Sequence, residues 1–173
     1  MPTIRPAESK DAEAIWAILE PIIRAGETYT LPCDTGREAA LAYWFASHHE
    51  VFVAEDGNQD TGEGGDENGG EVVGTYFLCP NQPGGGAHVA NCGYATAPAQ
   101  QGRGVARAMC LHSLDCAKQR GYRAMQFNFV VATNQRALSL WQSCGFETVG
   151  RLPEAFHHPA AGYVDAYVMY RSL

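Results

Sequence analysis

Between Asp11 and Ile23 the apolar residues fall at Ile15, Trp16, Ile18, Leu19, Ile22 and Ile23. That is the three-and-four spacing of a helix that buries one face, with Asp11 as its start residue. Ahead of it, Thr3-Ile4-Arg5 reads as a short strand. Gly26-Glu27-Thr28-Tyr29-Thr30-Leu31-Pro32 is polar and turn-rich, a loop between two helices. Thr35 and Glu38 stand in capping-box spacing for the second helix, which runs toward His48. Val51 to Ala54 and Val72 to Cys79 are short apolar runs that pair as a hairpin, and Asn81 to Gly86 is a glycine turn. His88 to Ala97 is the next strand and stops before Pro98. Val105 to Arg120 returns to helical spacing through Val105, Met109, Leu111, Leu114 and Ala117. Gln126 to Val131 reads as a buried strand, followed by a helix from Asn134 to a glycine stop at Gly145. Two last strands lie near Glu147–Arg151 and Tyr163–Tyr170. Helices and hairpins around one sheet make an α/β layered domain, and residues 1–173 suit a single one.

Composition narrows the class. Apolar residues are 46% and charged residues 18%, so the chain is globular. The net charge of −7 argues against non-specific nucleic-acid binding. Much of it is local: Asp56 to Gly70 holds five acidic residues, six glycines and no basic residue, and reads as a mobile acidic loop between two strands. The six cysteines form no C-x-x-C pair and no zinc-like spacing, so no metal is expected. With no evident signal peptide they read as reduced thiols of a cytoplasmic protein, mostly small buried residues. No run approaches the roughly 20 apolar residues of a membrane span.

The chemistry concentrates where the strand ending at Ala97 meets the helix opening at Val105. Gln101-Gly102-Arg103-Gly104-Val105-Ala106 is a glycine-punctuated turn at a helix start. Unpartnered N–H groups converge there, and the helix dipole favours an anion. The turn is not a Walker loop, having no Gly-Lys-Ser/Thr, nor a Rossmann fingerprint, because Arg107 stands where the third glycine would be. Alone it reads equally as an ordinary strand-to-helix loop.

Taken together, Gln101-x-x-Gly104-x-Ala106 and Asn134-x-x-Ala137-x-x-Leu140-Trp141-x-x-x-Gly145-Phe146 resemble the GNAT superfamily of acetyl-CoA-dependent N-acetyltransferases. The resemblance runs from about Ile4 to Tyr170. It implies a mixed sheet splayed at its centre, helices on both faces, and acetyl-CoA as cosubstrate in the gap. It implies that the backbone of Gln101, Gly102, Arg103, Gly104, Val105 and Ala106 holds the pyrophosphate, with Arg103 and Arg107 as further cationic contacts. The pantetheine arm would run along Tyr94-Ala95-Thr96, the Tyr94 N–H would meet the thioester carbonyl, and Asn134 would reach the arm from the other side. The chain departs from the common pattern at Trp141, where many members carry a tyrosine that is the usual candidate for proton donor to the leaving thiolate; an indole N–H is no useful acid. Trp141 is then a packing or CoA-contact residue. No carboxylate lies on the His88–Ala97 strand, so the general base is open between His88, Glu27 and a water chain.

The stretch His88 to Tyr94, Asn128, the tail Gly162 to Ala166, and Gly26-Glu27-Thr28-Tyr29 are similar to the Mpr-type acetyltransferases of fungi, which act on L-azetidine-2-carboxylate and related proline analogues. That resemblance implies a small amino acid or cyclic imino acid as acceptor, with Glu27, Tyr29, Asn91 and Asn128 around it. Two asparagines in apolar strands need partners or a ligand; the plainer structural reading is that each bonds a neighbouring loop. Other acceptors keep the fold: a phosphinothricin-like amine, a polyamine drawn to Glu27 and Asp165, or a peptide N-terminus. A catalytically weak acetyl-CoA sensor is the alternative outside enzyme chemistry. A homodimer is compatible with all of these.

Overall fold

Among the described residues, four α-helices and seven strands form in the order the pattern predicts. The computed structural model describes residues 1–57 and 70–173. The elements are β1 (Thr3–Pro6), α1 (Ala12–Ala25), α2 (Arg37–Trp44), β2 (Glu50–Asp56), β3 (Glu71–Pro80), β4 (Val89–Thr96), α3 (Val105–Gln119), β5 (Ala124–Val131), α4 (Gln135–Ser143), β6 (Glu147–His158) and β7 (Gly162–Ser172). The acidic loop expected over 56–70 falls mainly on residues 58–69, which lie outside the described residues.

The strands make one sheet in the order β1-β2-β3-β4-β5-β7-β6. All neighbours are antiparallel except β4 and β5, which α3 joins as a parallel crossover. Two cores cover the two faces. α1 and α2 bury Ile15, Ile18, Leu19, Ile23, Ala40 and Trp44 against Val53, Phe77, Cys79 and Ala95. α3 and α4 bury Met109, Leu114, Leu138 and Trp141 with Tyr76, Leu78, Met125 and Phe127. Each large aliphatic side chain so covered is worth roughly 1.5–3 kcal/mol. No described helix is long and apolar enough to cross a membrane. All six cysteines are free thiols, five of them buried.

The sheet is a mixed one opened at its centre. β4 and β5 pair only at Val89↔Ala124 and Ala90↔Met125, then separate. On the β7 side, β5 shifts register between Phe127 and Val130. This bulge lets Phe127 and Val130 face the same core although they are an odd spacing apart.

Several local expectations need correction. Helix α2 is not started by a Thr35–Glu38 box. Its N-cap is Gly36, with no side-chain cap, and the Thr35 hydroxyl instead donates to the Pro32 carbonyl at 2.6 Å. The helix ends at Trp44, short of His48. Leu111 is exposed; Cys110 and Ser113 take the inward positions of α3 instead. The Asp11 side chain does not cap α1. It takes two bonds from the Arg5 guanidinium and one from the Glu8 N–H. The Arg5 contact holds this buried carboxyl below its ordinary range. The last two strands are much longer than expected, forming one long hairpin.

Candidate active site

The alternation of an antiparallel ladder decides what the open edge of β4 offers. The Ala97 N–H donates to Val73 and the Asn81 N–H donates to Val89, so Val89, Asn91, Gly93, Ala95 and Ala97 direct their backbone groups to β3. Cys92, Tyr94 and Thr96 therefore direct theirs to the side where β5 has moved away. The Tyr29 hydroxyl reaches that edge and donates to the Tyr94 carbonyl at 2.6 Å. The Tyr94 N–H points to the same side. The gap is an open cleft of about 1060 Å³.

At one end of the cleft the turn before α3 supplies donors. Gly102 and Gly104 adopt left-handed φ of 80° and 82°, which glycine tolerates without a Cβ clash. The Ala108 N–H to Gly104 carbonyl bond (2.9 Å) begins the ladder, so the N–H groups of Val105, Ala106 and Arg107 precede it. Gln101, Gly102, Gly104, Val105 and Ala106 line the cleft; Arg103 does not. The lining cations are Arg107, bonded to Ser143, and Arg136, which crosses from α4 to the Gln101 side chain at 2.7 Å. Asn134 caps α4 through its Oδ1 on the Ala137 N–H at 3.1 Å, and its amide NH₂ has no partner among the described residues.

The other end is built from side chains of four elements. Tyr29 and Glu27 come from the α1–α2 loop, Phe77 from β3, Asn91 from β4 and Asn128 from β5. Asn91 shares a β4 face with Ala95, the face covered by α1 and α2. Its side chain has no hydrogen bond among the described residues. Asn128 is exposed rather than buried, and bonds Asn81 of the β3–β4 loop (2.6 Å) and Gln126 (2.7 Å). The plainer reading of a loop partner thus holds for Asn128 in the free protein, and burial places no demand on it. Ala95 is buried in the core and does not line the cleft. His88 is exposed outside the cleft, and Asp165, held by Arg151 and the Glu154 N–H, is outside it too. Glu27 is the one carboxylate among the described lining residues.

Electrostatics limits the candidate acids and nucleophiles. Burial pushes the Tyr94 phenol well above its ordinary value, and its hydroxyl is engaged with Ser113 at 2.6 Å on the α3 side. Burial raises Tyr29 likewise. Cys92, the lining cysteine, is pushed up to about 12 by burial, so it is a thiol at neutral pH and no nucleophile. Trp141 is buried, its ring 4.9 Å from Tyr94 and 5.0 Å from Phe127.

Sequence reasoning missed Tyr43, Phe77, Gly93, Phe129, Arg136 and His158, all of which line the cleft. Phe77 and Tyr43 sit in ordinary apolar patterns and carry no local signal. His158 lies at the end of an unexpectedly long strand. Its Nδ1 accepts from the N–H groups of Ala160 and Ala161, both at 3.1 Å, which leaves the proton of the neutral ring on Nε2. Arg136 was visible beside Asn134; only the packing of α4 against the turn reveals its reach.

A sheet split at one parallel pair, with a helix N-terminus at the mouth of the split and an unpaired strand edge inside it, is the frame of one transferase class. Residues 16–146 match the family model described as the Acetyltransferase (GNAT) family. The chain belongs to that family and is an N-acetyltransferase domain of GNAT type. It is similar to a GCN5-related N-acetyltransferase from Kribbella flavida, at 42% identity and a TM-score of 0.89, over 99% of this chain and 98% of that one. It shares its fold with yncA from Salmonella typhimurium, solved with its cofactor acetyl-CoA, at 21% identity and a TM-score of 0.81, over 100% and 94% of the two chains. Among curated proteins it is 32% identical over 98 residues to N-acetyltransferase aca1 of Schizosaccharomyces pombe, covering 56% of this chain and 47% of that protein. The matched stretch thus spans about half the length of that relative.

Proposed function

We propose that this protein transfers the acetyl group of acetyl-CoA to the amine of a small amino acid or cyclic imino acid by direct attack, as one domain acting in the cytoplasm. The observation that carries this reading is the unpaired β4 edge between a donor-rich turn and two asparagines. The residues fit acetyl-CoA. The N–H groups of the turn from Gln101 to Ala106 would take the pyrophosphate, with Arg107 and Arg136 as the cations nearby. Arg103, outside the lining, is left as a peripheral contact. The edge from Tyr94 through Ala95 to Thr96 would pair with the pantetheine amides like an added strand. The free amide of Asn134 would donate to the arm while its oxygen caps α4. Trp141 would pack beside it.

The Tyr94 N–H faces the gap and would polarise the thioester carbonyl as charge develops on its oxygen. The amine nitrogen forms the new C–N bond, the C–S bond breaks, and the amine's proton leaves to water or a base. Cys92 as a thiol supports direct attack over an acetyl-cysteine route. Tyr29 and Tyr94 do not suit the role of acid, since both are raised by burial and engaged, and burial raises Tyr43 as well. The leaving thiolate would take its proton from water. His158, whose Nδ1 is occupied, would serve as an Nε2–H donor rather than a base. Glu27 and water are the bases that remain. Asn91 and Asn128 would orient the acceptor, Asn128 exchanging Asn81 for substrate. A homodimer would use the exposed edge strand β6, where Val149 and Leu152 lie bare.

The test is CoA release from acetyl-CoA with L-azetidine-2-carboxylate, cis-4-hydroxyproline, amino acids and polyamines. Fast turnover on the imino acids is expected. Turnover confined to polyamines, peptides or phosphinothricin-like amines would discard the acceptor assignment, and tight CoA binding without turnover would make the protein a sensor.

A further inference from the structure

The floor of the acceptor end has no room for a side chain at position 93 of β4. A Cβ built on Gly93 would lie 2.5 Å from Phe77 Cε1 and 2.7 Å from Cζ. A ring tip can often move aside, but this one is packed by three aromatic neighbours. His49 stacks flat on it at 3.9 Å with an interplanar angle of 1°. Trp44 meets it edge-on at 5.0 Å and Tyr43 at 6.0 Å. The supports are themselves fixed. The Trp44 indole N–H donates to the Thr75 hydroxyl at 3.0 Å, and the His49 Nδ1–H donates to the Trp44 carbonyl at 3.0 Å. Packing this dense moves only by displacing neighbours.

Phe77, Tyr43 and Gly93 line the cleft beside Asn91, whose amide is unpaired among the described residues. The lining cations, Arg107 and Arg136, are committed at the far, α3–α4 end. The acceptor end is thus an aromatic floor with polar groups at its rim, Glu27 being the one carboxylate among the described lining residues.

Resting on the acceptor reading above, we propose that Phe77, seated over Gly93 and locked by His49, Trp44 and Tyr43, sets the size limit of the acceptor. The rigid ring fills the space that a bulkier amine body needs beside Asn91. It selects compact, apolar-bodied amines and rejects larger ring or chain homologues. Gly93 is the residue that permits this placement, because alanine there and Phe77 cannot coexist in this geometry. Both are specificity-determining residues in this reading.

The experiment compares kcat/KM for a ring series, L-azetidine-2-carboxylate, L-proline and L-pipecolate, in wild type, Phe77→Leu, Phe77→Ala, Gly93→Ala and the double variant Gly93→Ala/Phe77→Ala. Acetyl-CoA affinity is measured in each. The expected result is a rise of at least tenfold in the ratio of six-ring to four-ring kcat/KM for Phe77→Ala and a smaller rise for Phe77→Leu. Acetyl-CoA Kd should stay within about twofold. Gly93→Ala should lose activity on all three, and the double variant should recover the open profile of Phe77→Ala. If wild type prefers primary amines, the same variants are read on glycine, L-alanine and L-leucine. That outcome removes the imino-acid assignment while leaving the size limit testable. An unchanged size ratio in active Phe77→Leu overturns the proposal. So does a double variant no better than Gly93→Ala. Wild type inert on every amine overturns both this and the acceptor reading.

Discussion

The two ends of the cleft are made of different material. The end we assign to the cofactor offers main-chain groups of the glycine turn before α3 and of the β4 edge, with the Asn134 side chain beside them. The end we assign to the acceptor is lined by side chains that arrive from the α1–α2 loop, β3, β4 and β5. Main-chain donors depend on local backbone conformation and tolerate varied side chains. A side-chain pocket depends on how elements pack, and can be reshaped without disturbing the fold. One frame can therefore keep a constant donor substrate while its acceptor changes.

Four measurements break or sharpen this contrast. The largest effect is expected from Asn128→Ala, which should lower kcat/KM for the preferred imino acid about 100-fold through a lost hydrogen bond to substrate. Acetyl-CoA Kd, read by calorimetry, should hold within twofold. An equal loss of cofactor affinity would mean that the two ends are not separable. The mirror experiment is Gly104→Val. A β-branched residue at φ 82° is strained by roughly 1–2 kcal/mol, so acetyl-CoA should bind about tenfold more weakly, with acceptor KM little changed once cofactor is saturating.

The third concerns the two cores that flank the sheet. Burial raises Cys79 to about 11 and Cys92 to about 12, and raises Cys110 as well. Above the unfolded thiol value, near pH 8.5, the unfolded chain releases these protons while the folded chain keeps them. Stability therefore falls as pH rises from there through the folded values, by roughly 1.4 kcal/mol per pH unit for each such thiol. Denaturant titrations from pH 7 to 10.5 should show this decline, and Cys92→Ala should make it shallower. A flat profile would contradict the buried thiols. The smallest effect belongs to Tyr29→Phe, which removes the bond to the Tyr94 carbonyl that links the two ends. Roughly 1 kcal/mol of stability and a several-fold drop in kcat are expected; unchanged kinetics would make that link purely structural.

The same contrast governs what could be read in advance. The turn Gln101–Ala106 was visible because its glycines encode a backbone conformation residue by residue. Asn134 was visible because a helix cap is a local bond. Thr35 misled: its side chain satisfied the Pro32 carbonyl, and an uncapped Gly36 opened α2. Asn128 misled in another way. Its strand reads as apolar, yet the splay and the bulge leave it in solvent beside Asn81. Phe77 and His158 carried no signal, since neither sits in a pattern that differs from ordinary strand.

By itself the sequence determined the order of elements, the α/β class and the glycine turn before α3, because periodicity, glycines and caps act over a few residues. Only the tertiary structure decided that β4 and β5 part after two paired residues, which residues of four elements meet in the gap, and that Phe77 rests on Gly93. Those outcomes depend on register and packing between segments distant in the chain, and no local pattern encodes a distance between them.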